Sequence, residues 1–278
     1  MAELFNQDTV SAVTLPGGAE RQRLIDGERV AGTQCQFDRL LLGAGDTLNL
    51  LIPETGVTWV QVLTGSVALQ LANGERMLSE LDAFFLPPAF EGTLTSRTGA
   101  ELISLAIPQA IQFDPSLASV ESGPQFVDLS SEPLLQSEHD ERTRIYVATS
   151  HLFGTSALAG EIVIFPAGAV SSNHHHVGAE HFQYILRGSG TVYLNEVPHR
   201  IRAGDLVYKY DGERHYCQND DSGELSFVEF FAPGVWETVW ADPETSCTWS
   251  PTGQNIKGGA PSREIASHTS DGSLHKDI

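Results

Sequence analysis

The residues best suited to chemistry lie in one stretch of the C-terminal half, where three histidines and a glutamate recur at short spacing. His174 and His176 flank a further histidine, Glu180 follows them, and His215 lies farther along the chain. Alternate side chains of an extended strand point to the same face, so His174 and His176 are predicted to project together. A turn after Val177 would return Glu180 to that side. Three imidazoles and one carboxylate form a ligand set that suits a first-row divalent transition metal.

The spacing of these residues resembles the two sequence motifs of the cupin superfamily. The first motif, a glycine followed by His-x-His, a glutamate and a closing glycine, is matched by Gly168, His174, His176, Glu180 and Gly188. The second motif is matched by Gly204, Gly212, His215 and Asn219, with Tyr210 in the place of its proline. The closing glycine of the first motif lies one place later than in the strictest form. The resemblance implies a double-stranded β-helix, or jelly-roll, barrel that holds one metal through the three histidines and the glutamate.

The composition and the distribution of turn-forming residues favour an all-β protein. The 278 residues include 26 glycines and 14 prolines, and short apolar runs alternate with turn signals through both halves of the chain. The runs 59–65 and 81–87 have counterparts at 182–188 and 204–210, about 120 residues later. This offset predicts a duplication, and therefore two tandem cupin barrels.

The duplication predicts four segments. They are an N-terminal barrel over residues 1–115, a connection over 116–142, a metal-binding C-terminal barrel over 143–249 and a flexible tail over 250–278. The first histidine of the chain is His139, so the N-terminal barrel lacks the residues for the same site. Its expected role is packing, dimerisation or shaping the rim of the pocket.

Strand alternation predicts which side chains face the cavity. Phe182 and Tyr184 share the parity of the glutamate ligand, and Cys217 shares that of the last histidine ligand. Tyr184 is a candidate catalytic residue that donates a proton or orients a substrate oxygen, unless it is a core tyrosine with a satisfied hydroxyl. Phe182 and Cys217 are predicted to line the substrate pocket, with Cys217 as a small buried hydrophobe. His175 and His181 are predicted to point away from the metal.

Two further features could shape the pocket. Arg144 lies where the second barrel opens, and its guanidinium suits a substrate carboxylate, although a salt bridge is an equal alternative. Trp236 and Trp240 follow the last barrel strand. They predict a short element that covers or buttresses the barrel, or one that only packs against it.

The acidic balance limits the partners. A net charge of −20 and a pI near 4.7 argue against nucleic acids and anionic membranes. No apolar run approaches the length of a membrane span, and no secretory signal is evident. Three widely spaced cysteines do not indicate a disulfide framework. These features predict a cytoplasmic protein that acts on a small molecule, with a homo-oligomer, a dimer, as the expected assembly.

The resemblance leaves the reaction open, because one fold supports several chemistries. The leading hypothesis is a mononuclear non-haem Fe(II) dioxygenase, an oxidoreductase acting on a small oxygenated substrate bound directly to the metal. The alternative is a redox-neutral isomerase, lyase or decarboxylase of a sugar-acid-like substrate, for which Mn, Ni or Zn would also serve. A second alternative is a non-catalytic ligand-binding or storage protein built from two cupin barrels.

Overall fold

The computed structural model describes residues 2–119, 123–245, 247–269 and 278. The chain forms two compact units, one from Asp8 to Leu129 and one that joins the residues up to Gln7 with those from Ser130 onward. Both units consist of strands with a few short helical turns, so the all-β prediction is confirmed. Within the described residues no helix is long and apolar enough to cross a membrane.

The elements are numbered in chain order. The first ten strands are β1 (Glu3–Asn6), β2 (Val13–Thr14), β3 (Glu20–Ile25), β4 (Gln36–Leu42), β5 (Thr47–Leu51), β6 (Val57–Leu71), β7 (Gly74–Ser79), β8 (Asp82–Leu86), β9 (Glu91–Ile107) and β10 (Gln125–Asp128). The later strands are β11 (Pro133–Ser137), β12 (Thr143–Ala148), β13 (Ala159–Phe165), β14 (His174–Val177), β15 (Glu180–Arg187), β16 (Ser189–Leu194), β17 (Val197–Arg202), β18 (Asp205–Lys209), β19 (His215–Gln218), β20 (Leu225–Ala232), β21 (Glu237–Trp240), β22 (Thr248–Asn255) and β23 (His268–Thr269). The helical turns are the α-helical turn α1 (Ser150–Phe153) and the 3-10 turns Gln7–Thr9, Ala110–Gln112, Pro115–Ala118 and Leu129–Ser131.

The first unit is built on one antiparallel sheet. Its strand order is β10-β8-β6-β9-β4-β3-β2, with β5 added to β9 and β7 added to β6. Strands β6 and β9 are 15 and 17 residues long, long enough to turn a corner and serve both layers. Register shifts on either side of Thr64 and Gly65 mark that corner. Leucine, valine and phenylalanine side chains fill the space between the layers.

The second unit contains two sheets. The larger has the order β1-β18-β15-β20-β13-β12-β11-β22-β23, and the smaller has the order β17-β16-β19-β14-β21. Their shared core includes Ile185 and Phe227 from the larger sheet and Val192 and Cys217 from the smaller one. Because β14 and β19 of the smaller sheet and β15 of the larger carry the histidines, the two sheets together assemble the candidate site.

The structure divides the chain differently from the predicted segments. Strand β1 pairs with β18, so the first residues join the second unit. The predicted connection, residues 116–142, contains β10, which pairs with β8, and β11, which pairs with β12. The predicted flexible tail from residue 250 contributes to β22, which pairs with β11, and buries Ile265. Residues 270–277 of that tail lie outside the described residues.

Two glycines occupy equivalent positions in the two units, as the predicted duplication requires. Gly65 and Gly188 end the two runs predicted to be counterparts, and their φ angles are +76° and +77°. A Cβ atom would lie 2.1 Å from the Gly99 oxygen at the first and 2.0 Å from the Glu224 oxygen at the second. Glycine tolerates both the positive φ and the close approach. The same strand crossing therefore recurs in both units.

Replacing Gly188 with alanine should destabilise the second unit more than replacing Gly212 with alanine. The φ angles are +77° and +75°, so both variants share a backbone strain of about 1–2 kcal/mol. Nothing lies within 4 Å of a Cβ at Gly212, whereas the alanine at position 188 must displace a backbone oxygen. We expect an additional loss of roughly 1–3 kcal/mol for Gly188→Ala in urea unfolding. Equal losses in the two variants would contradict the account of the corner.

Candidate metal centre

Four imidazoles meet in the second unit. His174 and His176 lie on β14, His181 on β15 and His215 on β19. The ring centroids are 4.4 Å apart for His174 and His215, 4.8 Å for His174 and His176, 4.7 Å for His176 and His181, and 4.8 Å for His181 and His215. One ring nitrogen from each of His174, His176 and His215 lies within 4.8 Å of the others. Three of the predicted ligands are therefore brought together.

Backbone carbonyls fix the tautomers of two rings. His174 Nδ1 lies 2.7 Å from the Ser172 oxygen, and His215 Nδ1 lies 2.8 Å from the Glu213 oxygen. A carbonyl oxygen can only accept, so each Nδ1 carries the proton and each Nε2 keeps its lone pair. Both rings are thus set as neutral ligands through Nε2.

His181 is the fourth member of the cluster. Its side chain is fully buried, and its Nε2 lies 3.3 Å from His215 Nε2. Two nitrogens bound at about 2.1 Å to one tetrahedral ion would be about 3.4 Å apart, so this separation fits two ligands of a single ion. His176 Nδ1 lies 3.1 Å from Thr238 Oγ1, which orients that ring. The donor set therefore fits a divalent transition metal.

Burial keeps these rings neutral. It lowers the pKa of His174 to about 3 and holds the pKa values of His176, His181 and His215 well below the usual value. The positive charge of Lys209 acts in the same direction. The neutral imidazole is the form that binds metals, so a cation can enter without displacing protons.

Glu180 lies outside this cluster, and its prediction as a ligand is corrected. Its carboxylate accepts a hydrogen bond from the Tyr208 hydroxyl. Glu180 and His181 are consecutive on β15, so they point to opposite faces, and the turn between β14 and β15 gives the inner face to His181. The sequence held a signal of this register: Gly188 lay one place late for a ligand at 180 and is in place for a ligand at 181.

The same register moves two predicted pocket residues away from the site. The Tyr184 hydroxyl donates to Gln7 Oε1 at 2.6 Å, and the Phe182 ring lies 5.7 Å from that of Phe230. Neither lines the cavity beside the imidazoles, so the catalytic role predicted for Tyr184 and the lining role predicted for Phe182 are corrected as well. Cys217 does line the cavity, and burial raises its thiol pKa to about 12, which agrees with its prediction as a buried hydrophobe.

Aromatic side chains form the cavity wall beside the imidazoles. The cavity has a volume of about 100 Å³. Trp236 stacks on Phe231 with 3.8 Å between ring centroids, and Trp240 lies 5.1 Å from His174. Strand β21, which carries Trp240, pairs with β14. The element predicted to cover or buttress the barrel is thus one wall of the site.

Three ion pairs lie around the cavity. They join Arg142 to Asp140 at 2.8 Å, Arg144 to Glu161 at 2.7 Å and Lys209 to Glu229 at 3.2 Å. The guanidinium of Arg144 also contacts His268 Nε2 at 3.0 Å. Arg144 lines the cavity, and its guanidinium forms a salt bridge, which was the stated alternative to binding a substrate carboxylate.

Lys209 and Glu229 are the functional candidates that sequence reasoning missed. The Lys209 side chain is fully buried. Glu229 Oε1 accepts from Gln183 Nε2 at 2.9 Å and lies 3.9 Å from His181 Nε2. A ring nitrogen of His181, one of His215 and an oxygen of Glu229 also lie within 4.8 Å of one another. A fixed carboxylate thus adjoins the imidazole cluster.

Comparison with known proteins finds a family model that matches part of this unit and two curated relatives of the chain. A family model described as a cupin domain matches residues 161–231. The chain is 30% identical over 87 residues to the oxalate-binding protein of Thermotoga maritima, which is 30% of this chain and 72% of that protein. It is 32% identical over 79 residues to protein SchB of Streptomyces halstedii, which is 28% of this chain and 56% of that protein. The second match thus spans just over half of its relative.

Solved structures extend the likeness to both units. A single-residue variant of the oxalate decarboxylase of Bacillus subtilis is similar with a TM-score of 0.67 and 16% identity, over 86% of this chain and 79% of that chain. The oxalate decarboxylase of Lactobacillus farciminis in its formate complex is similar with a TM-score of 0.68 and 12% identity, over 86% and 88%. At these identities the likeness is one of fold. Because it covers 86% of this chain, it includes both units, and the prediction of two tandem barrels is confirmed.

Proposed function

This chain belongs to the cupin superfamily, and we propose that it is a metal-dependent enzyme that moves a proton on a small oxygenated substrate without net oxidation. The reaction classes are those of a lyase, decarboxylase or isomerase. The observation that carries the proposal is the fixed carboxylate of Glu229 beside the four clustered imidazoles, which we assign as the ligand set. The similar proteins also favour redox-neutral chemistry, since one relative is an oxalate-binding protein and the solved structures of similar fold are oxalate decarboxylases.

The neutrality of the ligands supports Lewis-acid chemistry. A set with one carboxylate would cancel part of the charge of a divalent ion, whereas four imidazoles cancel none of it. When bound, such an ion supplies polarisation of a substrate carbonyl or carboxylate oxygen. Neutral ligands also favour the divalent state over a higher one, which disfavours electron transfer to dioxygen. The replacement of Glu180 by His181 in the ligand set therefore shifts preference from the dioxygenase to the redox-neutral class.

Glu229 is the residue that we assign to proton transfer. It is buried and lines the cavity. Gln183 Nε2 and Lys209 Nζ both bind its Oε1, at 2.9 Å and 3.2 Å. These two donors hold Oε1 in place, 3.9 Å from His181 Nε2. A carboxylate positioned in this way contributes about 10²–10⁴-fold to proton transfer.

A second carboxylate can complement the first. Glu161 lies directly opposite Glu229 on the neighbouring strand, and both line the cavity. Burial raises the pKa of Glu161, although the Arg144 guanidinium opposes this shift. Both carboxylates are ion-paired, Glu161 with Arg144 and Glu229 with Lys209. We assign Glu229 as the base, because its carboxylate lies beside the imidazole cluster.

The Fe(II) dioxygenase predicted from the sequence is the second candidate. It is favoured by the apolar wall that Phe231 and Trp236 form beside the imidazoles, because such a wall provides a dry place for dioxygen. The two candidates share the same divalent metal site and differ in the need for iron and for oxygen.

Turnover under anoxia separates these candidates. Protein reconstituted with Zn²⁺, Mn²⁺ or Fe²⁺ would be incubated anaerobically in D₂O with phenylpyruvate, and NMR would follow deuterium exchange and decarboxylation. We expect zinc- or manganese-loaded protein to exceed the free ion. Glu229→Gln should lose about 10²–10⁴-fold of the rate and keep its metal. The matched variant Glu224→Gln changes an exposed glutamate and should have no effect. Turnover that needs both iron and dioxygen would contradict the proposal.

A further inference from the structure

The walls of the cavity define the class of substrate. We infer that the substrate has a flat, conjugated or aromatic body and at most one negative charge, and is not a small dianion such as oxalate. This inference rests on the proposed function, because it concerns the ligand of the same metal-centred cavity. Two separate observations support the inferred substrate class: the shape of the aromatic walls and the balance of buried charge.

Flat ring faces flank the imidazole cluster. Phe231 is nearly parallel to His181, with 5.2 Å between centroids and 8° between planes, and to Trp236, with 3.8 Å and 5°. Trp240 lies 5.1 Å from His174 on the β21 side. Trp236 and Trp240 remain partly exposed at the cavity, so each has ring surface to offer. Stacked or edge contacts with such rings favour a flat ligand over a compact polar one.

The cavity also extends well beyond the imidazoles. Its lining includes Gln183, Glu229, Glu161 and Tyr146, which lie on four adjacent strands in the order β15, β20, β13 and β12. Three strand spacings correspond to about 14 Å. Trp249, on β22 farther along the same sheet, also lines the cavity, so this region is aromatic as well. A two-carbon ligand would occupy only the imidazole end and leave the rest of the cavity unfilled.

The buried charges oppose a dianion. Among the described residues that line the cavity, the basic side chains are Arg142 and Arg144, and each is already paired with a carboxylate. The nearby Lys209 is paired as well, with Glu229. A dianionic ligand would therefore meet only the charge of the metal and would lie near Glu161 and Glu229. A neutral or singly charged ligand avoids this repulsion.

Two hydroxamates with one metal-binding head test the inference. Benzohydroxamate carries a ring where acetohydroxamate carries a methyl group. Calorimetric titration of the zinc-loaded protein would give the affinity of each, corrected for affinity toward free Zn²⁺, and that of oxalate. We expect benzohydroxamate to bind about tenfold more tightly than acetohydroxamate, with oxalate weaker than benzohydroxamate. Trp240→Leu should reduce the ratio toward one, and Phe126→Leu, a partly buried aromatic of the first unit, should leave it unchanged.

The outcomes separate the two levels of the proposal. Equal affinities for the two hydroxamates, a ratio that Trp240→Leu leaves intact, or oxalate as the tightest ligand would overturn the substrate class while leaving the metal site standing. Zinc content measured in Trp240→Leu shows that the variant keeps its fold and its ion. If the wild-type protein takes up no zinc and binds neither hydroxamate, the metal-centred function is contradicted, and the inference with it.

Discussion

Replacing His181 with alanine is expected to lower metal affinity by more than 100-fold, while replacing Glu180 with glutamine leaves it unchanged. Loss of a residue that only orients a ligand costs about 10–100-fold, and loss of a direct ligand should cost more. His181 Nε2 lies 3.3 Å from His215 Nε2 inside the buried cluster. The Glu180 carboxylate is bound to Tyr208 on the other face of β15.

Competition with a chromogenic zinc chelator would measure both affinities, and elemental analysis of the purified proteins would show which metal each variant retains. His176→Ala is the positive control for loss of a ligand. His199→Ala is the negative control, because this histidine lies on β17 outside the cluster. A Glu180→Gln protein that loses its metal, beside a His181→Ala protein that keeps it, would restore the register first predicted.

The comparison of positions 180 and 181 shows what the sequence can specify. Strand alternation placed His174 and His176 on one face, and the resemblance to the two cupin motifs implied that His215 joins them. The fourth ligand depended on how many residues the turn after Val177 consumes. In a strand a shift of one residue exchanges every inward side chain for its neighbour. Glu180, Phe182 and Tyr184 were therefore misplaced together, and His181 was misplaced with them.

The second group of missed residues has a different cause. Lys209 and Glu229 belong to neither motif and lie on β18 and β20. Both strands pair with β15, and this pairing brings the two side chains beside His181. Only the order of strands in the sheet reveals that proximity, since no short-range pattern links the positions. The fold class followed from local turn and strand signals, whereas the polar surroundings of the site followed from long-range pairing.

Replacing Lys209 with methionine should destabilise the second unit by about 3–5 kcal/mol. The substitution leaves the Glu229 carboxylate buried without its cation, with Gln183 as a remaining donor. Urea unfolding of metal-free protein would measure the loss, since bound metal would add its own stabilisation. The control is Arg187→Met, which breaks a 3.9 Å pair with Glu224 whose side chains are 76% and 45% exposed. That change should cost at most about 1 kcal/mol. Equal losses would contradict the importance assigned to the buried pair.

The double variant Lys209→Met with Glu229→Met connects this stability measurement to function. A buried ion pair gains little over well-packed apolar side chains of similar volume, because both charges must be desolvated. We therefore expect the double variant to regain most of the stability lost by Lys209→Met alone and to keep its metal, since neither residue is among the four imidazoles. It should nevertheless lack the proton-transfer activity assigned to Glu229. Recovery of stability without recovery of activity would show that the pair serves the chemistry of the site, whereas a double variant as unstable as the single one would assign it to the fold.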